Sequence, residues 1–195
     1  EKGRISFSNP GYEISHILKD GAPFIKPEME GAGSKSEPGQ PDLPTMSTYY
    51  AVEPGKIFTI NASIKESEVI ENVEVVPFET WNSQPTGVIE KGVTYQQSSS
   101  FPANIATVSD PMVFRDIVMV QVSVTPFQYN PVSKTLTVIQ EIDLELVESG
   151  ATEVPYIPQQ KSREFEILYE SLVVNYPSIT REGEEVYQRP SILYV

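Results

Sequence analysis

The chain has no cysteine, one histidine and one tryptophan among 195 residues. Without thiols there is no cysteine nucleophile, no disulfide framework and no thiolate zinc site. A lone imidazole, His16, excludes a pair of histidine ligands, and any Ser-His-Asp arrangement would have to be built on it. Its surroundings, Glu13-Ile14-Ser15-His16-Ile17-Leu18, alternate polar and apolar, so His16 is expected to be a half-exposed strand residue. Positive charge is also scarce. Fourteen Lys and Arg against 27 Asp and Glu leave a formal net charge of −13 and a pI near 4.5. Such a surface is repelled by phosphate backbones and anionic lipid, and it attracts basic polypeptides from a distance. This argues against a nucleic-acid partner. No apolar run approaches the roughly 18 residues that would propose a membrane span, so no membrane insertion is expected. Glu1-Lys2-Gly3-Arg4 is not followed by an apolar stretch, so no leader is expected within these residues.

What is present is a β-type pattern. Seventeen prolines and 11 glycines are spread along the chain, as short strands joined by turns require. Ile5 to Phe7 and Tyr12 to Leu18 read as strands with Asn9-Pro10-Gly11 between them, and Phe24-Ile25 marks a third. Residues 27–45 read as a long loop. Tyr49 to Val52 and Ile57 to Ile64 flank a turn at Glu53-Pro54-Gly55, with Phe58, Ile60 and Ala62 expected on the buried face, and Val69 to Val76 follows as a further strand. Residues 77–105 read as an extended excursion with little regular structure, and a loop of that length is functional or disordered.

The clearest element is a hairpin at 117–147. Val118, Val120, Val122 and Val124 alternate with Met119, Gln121 and Ser123; the chain turns at Asn130-Pro131-Val132-Ser133-Lys134; Leu136, Val138, Ile142, Leu144 and Leu146 then alternate with Thr137, Glu141, Asp143 and Glu145. One apolar and one acidic face describe an antiparallel sheet with one wet side. Pro126 and Tyr129 are expected at the hairpin tip, and Asn130 to bond its own turn backbone. A helix is predicted from a Ser162 cap, with Phe165, Leu168, Tyr169, Leu172 and Tyr176 on its apolar face and Pro177 as its stop. Ile192 to Val195 reads as a terminal strand. The predicted class is mainly β, an antiparallel β-sandwich with one C-terminal helix.

Three segments, in order, carry a resemblance. Gly39-Gln40-Pro41-Asp42-Leu43-Pro44 leads into a strand. Phe114-Arg115-Asp116 leads into a strand ending in Thr125-Pro126-Phe127-Gln128-Tyr129-Asn130-Pro131. The helix and a polar stretch then lead to Arg189-Pro190-Ser191-Ile192-Leu193-Tyr194-Val195. Over roughly residues 22–195 this resembles the N-terminal pro-domain of the gingipain family of cysteine peptidases.

The resemblance implies a non-catalytic β-sandwich that travels through the periplasm with its enzyme and is secreted or reaches the cell surface, by type IX secretion. It implies a partner, the cognate catalytic peptidase domain, which the domain helps to fold and keeps latent by covering the active-site cleft until proteolysis removes it. It also implies an inhibitory loop carrying a basic residue into the specificity pocket. The matching residues are Tyr95, Gln96, Gln97, Ser98, Ser99, Ser100 and Phe101, which include no Lys or Arg, so Arg115 is the alternative plug. The family junction maps to Arg181-Glu182, giving a pro-domain at 1–181 and a tail at 182–195 that begins the catalytic domain. Two other readings stand beside this one. The first is a non-catalytic adhesion or binding module using Trp81 and the ten tyrosines. The second is an N-terminal domain retained on a sortase-like member of the same family. Neither a cofactor nor a metal is expected. Glu182, Glu184 and Glu185 lack the spacing of a dedicated calcium loop and read as a solvated charge run.

Overall fold

The computed structural model describes residues 3–19, 21–79, 90–153 and 163–176. The molecule is mainly β, with several antiparallel sheets and one α-helix among the described residues. The strands are β1 Arg4–Ser8, β2 Glu13–Lys19, β3 Ala22–Glu28, β4 Gly33–Ser34, β5 Pro44–Ala51, β6 Lys56–Ile70, β7 Ala106–Val108, β8 Met112–Phe114, β9 Ile117–Val124, β10 Phe127–Asn130 and β11 Thr135–Ala151. The helix, α1, is Arg163–Leu172. The chain divides into two compact units.

The first unit comprises residues 1–47, 60–107 and 123–146. Its organising strand is β11. Leu136, Val138, Ile142 and Leu144 are buried while Glu141, Asp143 and Glu145 are exposed, as the alternation predicts. Antiparallel β1 pairs Phe7 with Ile142 and Ile5 with Leu144, and β10 pairs Phe127 with Val138 and Tyr129 with Leu136. Phe127, Tyr129, Leu136 and Val138 close a core with Ile25, Met29, Leu43 and Val75, against which Phe7 packs. The turn behaves as its sequence suggests: Asn130 Oδ1 accepts from the backbone N–H of Val132 (3.1 Å) and Ser133 (3.2 Å), and Lys134 takes φ 54°.

Several expectations are corrected. The hairpin is β10–β11, not 117–147. Strand β9 belongs to a five-stranded sheet with β4, β5, β7 and β8, and the chain changes sheet at Thr125-Pro126. Pro126 has no N–H to continue a ladder, while the Thr125 N–H donates to Ile105 O at 2.8 Å and Pro126 O accepts from the Ile139 N–H at 2.8 Å. Because β9 lies inside that sheet with both faces covered, Met119 and Ser123 are buried alongside the valines. Tyr129 is fully buried in the core rather than at a hairpin tip. Strands β1 and β2 exist but do not pair with each other; β1 takes β11 and β2 takes β3. On β6 Phe58 and Ile60 are half-buried, but so is Ile57 between the expected faces, and Ala62 and Ile64 are exposed. No separate strand runs from Val69 to Val76: β6 extends to Ile70, Asn72 turns the chain at φ 58°, and Val75 makes an isolated parallel bridge to Ile25.

The second unit comprises residues 48–59, 108–122 and 147–195. Its core joins Ala51, Ile117 and Met119 to Tyr169, Val173 and Tyr176, flanked by Tyr49, Phe114 and Phe165. The inward side of α1 and of the turn that follows it is therefore Tyr169, Val173 and Tyr176, with Phe165 half-buried beside them. Leu168 and Leu172, expected on that face, are 37% and 38% exposed, because the unit covers only one side of the helix. The Ser162 cap, Pro177 and residues 178–195 lie outside the described residues.

Leu136 is fully buried and Leu18 is 74% exposed. Leu136→Ala is expected to cost about 3 kcal/mol. Leu18→Ala should change stability by less than about 0.5 kcal/mol. Urea unfolding midpoints of the two variants check this.

Candidate functional site: an anchored loop

The expected loop, 95–101, lies wholly in the first unit, and its ends are fastened before its middle becomes free. Tyr95 sits in a 3-10 turn, Val93–Gln96. Its hydroxyl donates to Val75 O at 2.7 Å, and its ring packs against Tyr129 at a centroid distance of 6.2 Å. Burial pushes both phenols up, Tyr129 to about 12 and Tyr95 further, so both remain neutral donors at any physiological pH. At the far end Phe101 is half-buried, and it exchanges both backbone hydrogen bonds with Tyr129, each 2.8 Å. Gln128 Nε2 donates to Pro102 O at 2.9 Å. Between these anchors Gln96, Gln97, Ser98, Ser99 and Ser100 are all exposed. Within the span the Gln97 N–H donates to Thr94 O at 3.2 Å and Asn130 Nδ2 donates to Ser98 O at 2.7 Å.

The approach to the loop is fixed by two glycines. Gly39, at φ 82°, accepts at its carbonyl from the Gly92 N–H at 2.8 Å, and its own N–H donates to Phe78 O at 3.0 Å. A Cβ on Gly39 would stand 2.9 Å from Gly92 N, so no larger residue fits without displacing backbone. The Gly39–Pro44 motif thus supports the start of the loop as well as leading into β5.

Sequence reasoning missed Lys91. It is the basic residue nearest the loop, four positions before Tyr95, and it is directed into the domain. Its ammonium pairs with Glu74 and lies over the rings of Phe24 (5.2 Å) and Tyr95 (5.6 Å). Lys134 reaches the same carboxylate at 3.1 Å. Burial pushes the Glu74 carboxyl up, but the two ammonium groups more than offset it and hold its pKa below the ordinary value. The signal was available as a lysine beside a tyrosine, but its acidic partner lies 17 positions away.

Arg115 lies in the second unit, in the tight turn between β8 and β9. It takes φ 58°, and its guanidinium stacks over the Phe165 ring at 4.2 Å. The neighbouring Asp116 is 5% exposed and accepts a 2.5 Å hydrogen bond from the Tyr169 hydroxyl. Phe114 meets Tyr169 edge-on at 5.9 Å. The Phe114-Arg115-Asp116 motif is thus the seat on which α1 is held. His16 is an exposed residue of β2 opposite Ile25. Among the described residues no cluster of three His, Asp or Glu could hold a metal ion, and no helix is long and apolar enough to cross a membrane. Trp81, Arg181, Glu182, Glu184 and Glu185 fall outside the described residues.

The Propeptide_C25 family model matches residues 2–182. The chain belongs to the Propeptide_C25 family. It is 32% identical over 155 residues to gingipain R2 of Porphyromonas gingivalis, an alignment covering 72% of this chain and 20% of the relative. Against gingipain R1 of the same organism the identity is 32% over 148 residues, covering 72% and 15%. The chain thus spans about a fifth or less of the length of these relatives. The solved complex of the pro- and mature domains of RgpB from Porphyromonas gingivalis matches with a TM-score of 0.74 at 26% identity, over 90% of this chain and 92% of that one. A structure addressing zymogenic latency of gingipain K, from the same organism, shares the fold with a TM-score of 0.60 at 19% identity, over 77% and 90%. The Propeptide_C25 match makes this chain a propeptide domain.

Glu74 gives a pH test. Its folded pKa is lowered, so its contribution is present above the unfolded value of 4.5 and is lost as pH falls through the folded value. At pH 7, Glu74→Gln is expected to lower stability by about 1 kcal/mol after solvent screening. The gap between variant and native protein should close below pH 4.5. Urea midpoints across pH measure it.

Proposed function

We propose that this domain keeps a gingipain-like cysteine peptidase latent and assists its folding by covering the active-site cleft, and that proteolysis then removes it. The observation that carries the reading is the match along nearly the whole chain to a pro-domain solved with its mature domain. In this reading Gln96–Ser100 is the inhibitory span. Its fastened ends reduce the ordering entropy that binding would otherwise cost, and its exposed middle presents amide and hydroxyl groups to a cleft. Arg115 is held on Phe165 and serves the seat of the helix rather than the cleft. Latency here then works without a basic side chain in the specificity pocket. We further propose that the precursor crosses the periplasm by a type IX route and acts outside the cell.

The test is titration of the downstream peptidase domain with this chain. Deleting residues 96–100 and closing the gap should weaken inhibition by about tenfold or more, with the unfolding transition of the domain unchanged. Equal inhibition by the deleted form would locate the plug elsewhere, with Arg115→Ala the next variant to titrate.

Removal is proposed to occur after Arg181, leaving 1–181 as the pro-domain and 182–195 with the catalytic chain. The family match ending at residue 182 supports that boundary. Limited trypsin digestion should cut rapidly after Arg181 and leave a stable, folded 1–181 fragment. Resistance at Arg181, or unfolding once the tail is lost, would refute the junction.

A further inference from the structure

Helix α1 has more apolar surface than its own unit buries. Phe165, Tyr169, Val173 and Tyr176 fill the core of the second unit. The helix is fixed there by the Tyr169–Asp116 bond and by Asn175, which accepts from the Ala51 N–H at 2.8 Å and donates to Ala51 O at 2.9 Å. None of this uses the adjoining flank. Leu168 and Leu172 stand one turn apart beside the buried stripe, and Ile167 continues the flank with Ser171. Ile167 is 65% exposed, Leu168 37% and Leu172 38%. Ile167, Leu168, Ser171 and Leu172 themselves carry no charge, and Glu164, one turn before Leu168, stands on the same flank at the start of the helix. The acidic residues Glu166 and Glu170 lie on the opposite side of the stripe, and Glu166 is hydrogen-bonded to the Tyr176 hydroxyl. Large side chains grouped on one helix flank of a strongly acidic domain mark a covered surface.

We infer that the Ile167-Leu168-Ser171-Leu172 flank of α1 is a docking surface for the peptidase domain of the same precursor, a partner with a matching apolar patch. The inference rests on the propeptide reading and adds to it a second contact, separate from the 96–100 span. Continuity along the chain selects the occupant. The helix ends at Leu172 and the family match at residue 182, in relatives of which this region makes up 20% or less. A partner tethered by so short a connection meets the flank at a high effective concentration. A net charge of −13 disfavours an anionic lipid surface as the occupant.

The test uses the full precursor. Native protein and the Leu168→Gln, Leu172→Gln double variant are cut at the junction, and association of the two parts is measured by size exclusion and by titration. The double variant should hold the peptidase domain about tenfold more weakly, with an unchanged unfolding midpoint, while Glu170→Gln, on the other side of the helix, binds as native. A photo-cross-linking residue in place of Ile167 in the uncut precursor covers the case in which the double variant misfolds, and it should mark the peptidase domain. Native affinity in a folded double variant would overturn the inference. So would cross-links confined to a second copy of this domain or to lipid. Both arms read association rather than activity. An active native precursor would therefore sink the latency reading while leaving docking to be judged by itself.

Discussion

Alternate burial along β11 is the constraint on which the first unit depends. Leu136, Val138, Ile142 and Leu144 are 2% exposed or less, and the residues between Ile142 and Leu146 that face away are acidic. Slipping this strand by one residue would carry Glu141, Asp143 and Glu145 into the core, at a cost of several kcal/mol per carboxylate on the order of buried-ion penalties. The register of β1 and β10 follows from that refusal. Through β10 it determines where Tyr129 lies, and Tyr129 in turn receives the backbone of Phe101 and the ring of Tyr95. The geometry of the exposed loop is thus set two backbone pairings away from it.

Electrostatics follows the same economy. With 14 basic side chains against 27 acidic ones, each lysine has several possible partners. Lys91 and Lys134 converge on Glu74, and Lys56 bridges Glu53 and Glu148 in the second unit. The lysine pair on Glu74 sits under the start of the loop, so cations that could have faced a partner brace the domain instead. The loop span left outward carries amides and hydroxyls, which suit short-range hydrogen bonding, while the net charge of −13 favours long-range attraction to a basic surface.

Much of this was legible in the sequence because it is local. Strict alternation at 136–146 specifies one buried face, and Asn130 ahead of a turn supplies its own acceptor. Failures came where a distant partner overrides a local pattern. Met119 and Ser123 alternate with valines and read as outward, yet a sheet neighbour on each edge and cover on both faces bury them. Tyr129 precedes a turn and reads as its tip, yet its pairing with Phe101 across 28 positions makes it core. Leu168 and Leu172 share the helical period of the buried stripe, and period alone does not say how wide a stripe the neighbouring strands will cover. The loop at 95–101 was placed by the family resemblance within an excursion that the residues alone left at 77–105. Its fastenings were not legible, because Val75, Asn130 and Gln128 are remote in sequence.

Those fastenings have a further consequence. Tyr95 and Phe101 are held independently, one by Val75 and the other by Tyr129, and Ser98 is clipped by Asn130. Severing one peptide bond between Gln97 and Ser100 therefore frees two short stubs, each still rooted in the same core, and sheds no piece of chain. The span behaves as a bridge whose piers outlast its deck: a single break ends its reach while the domain beneath stays whole and in place.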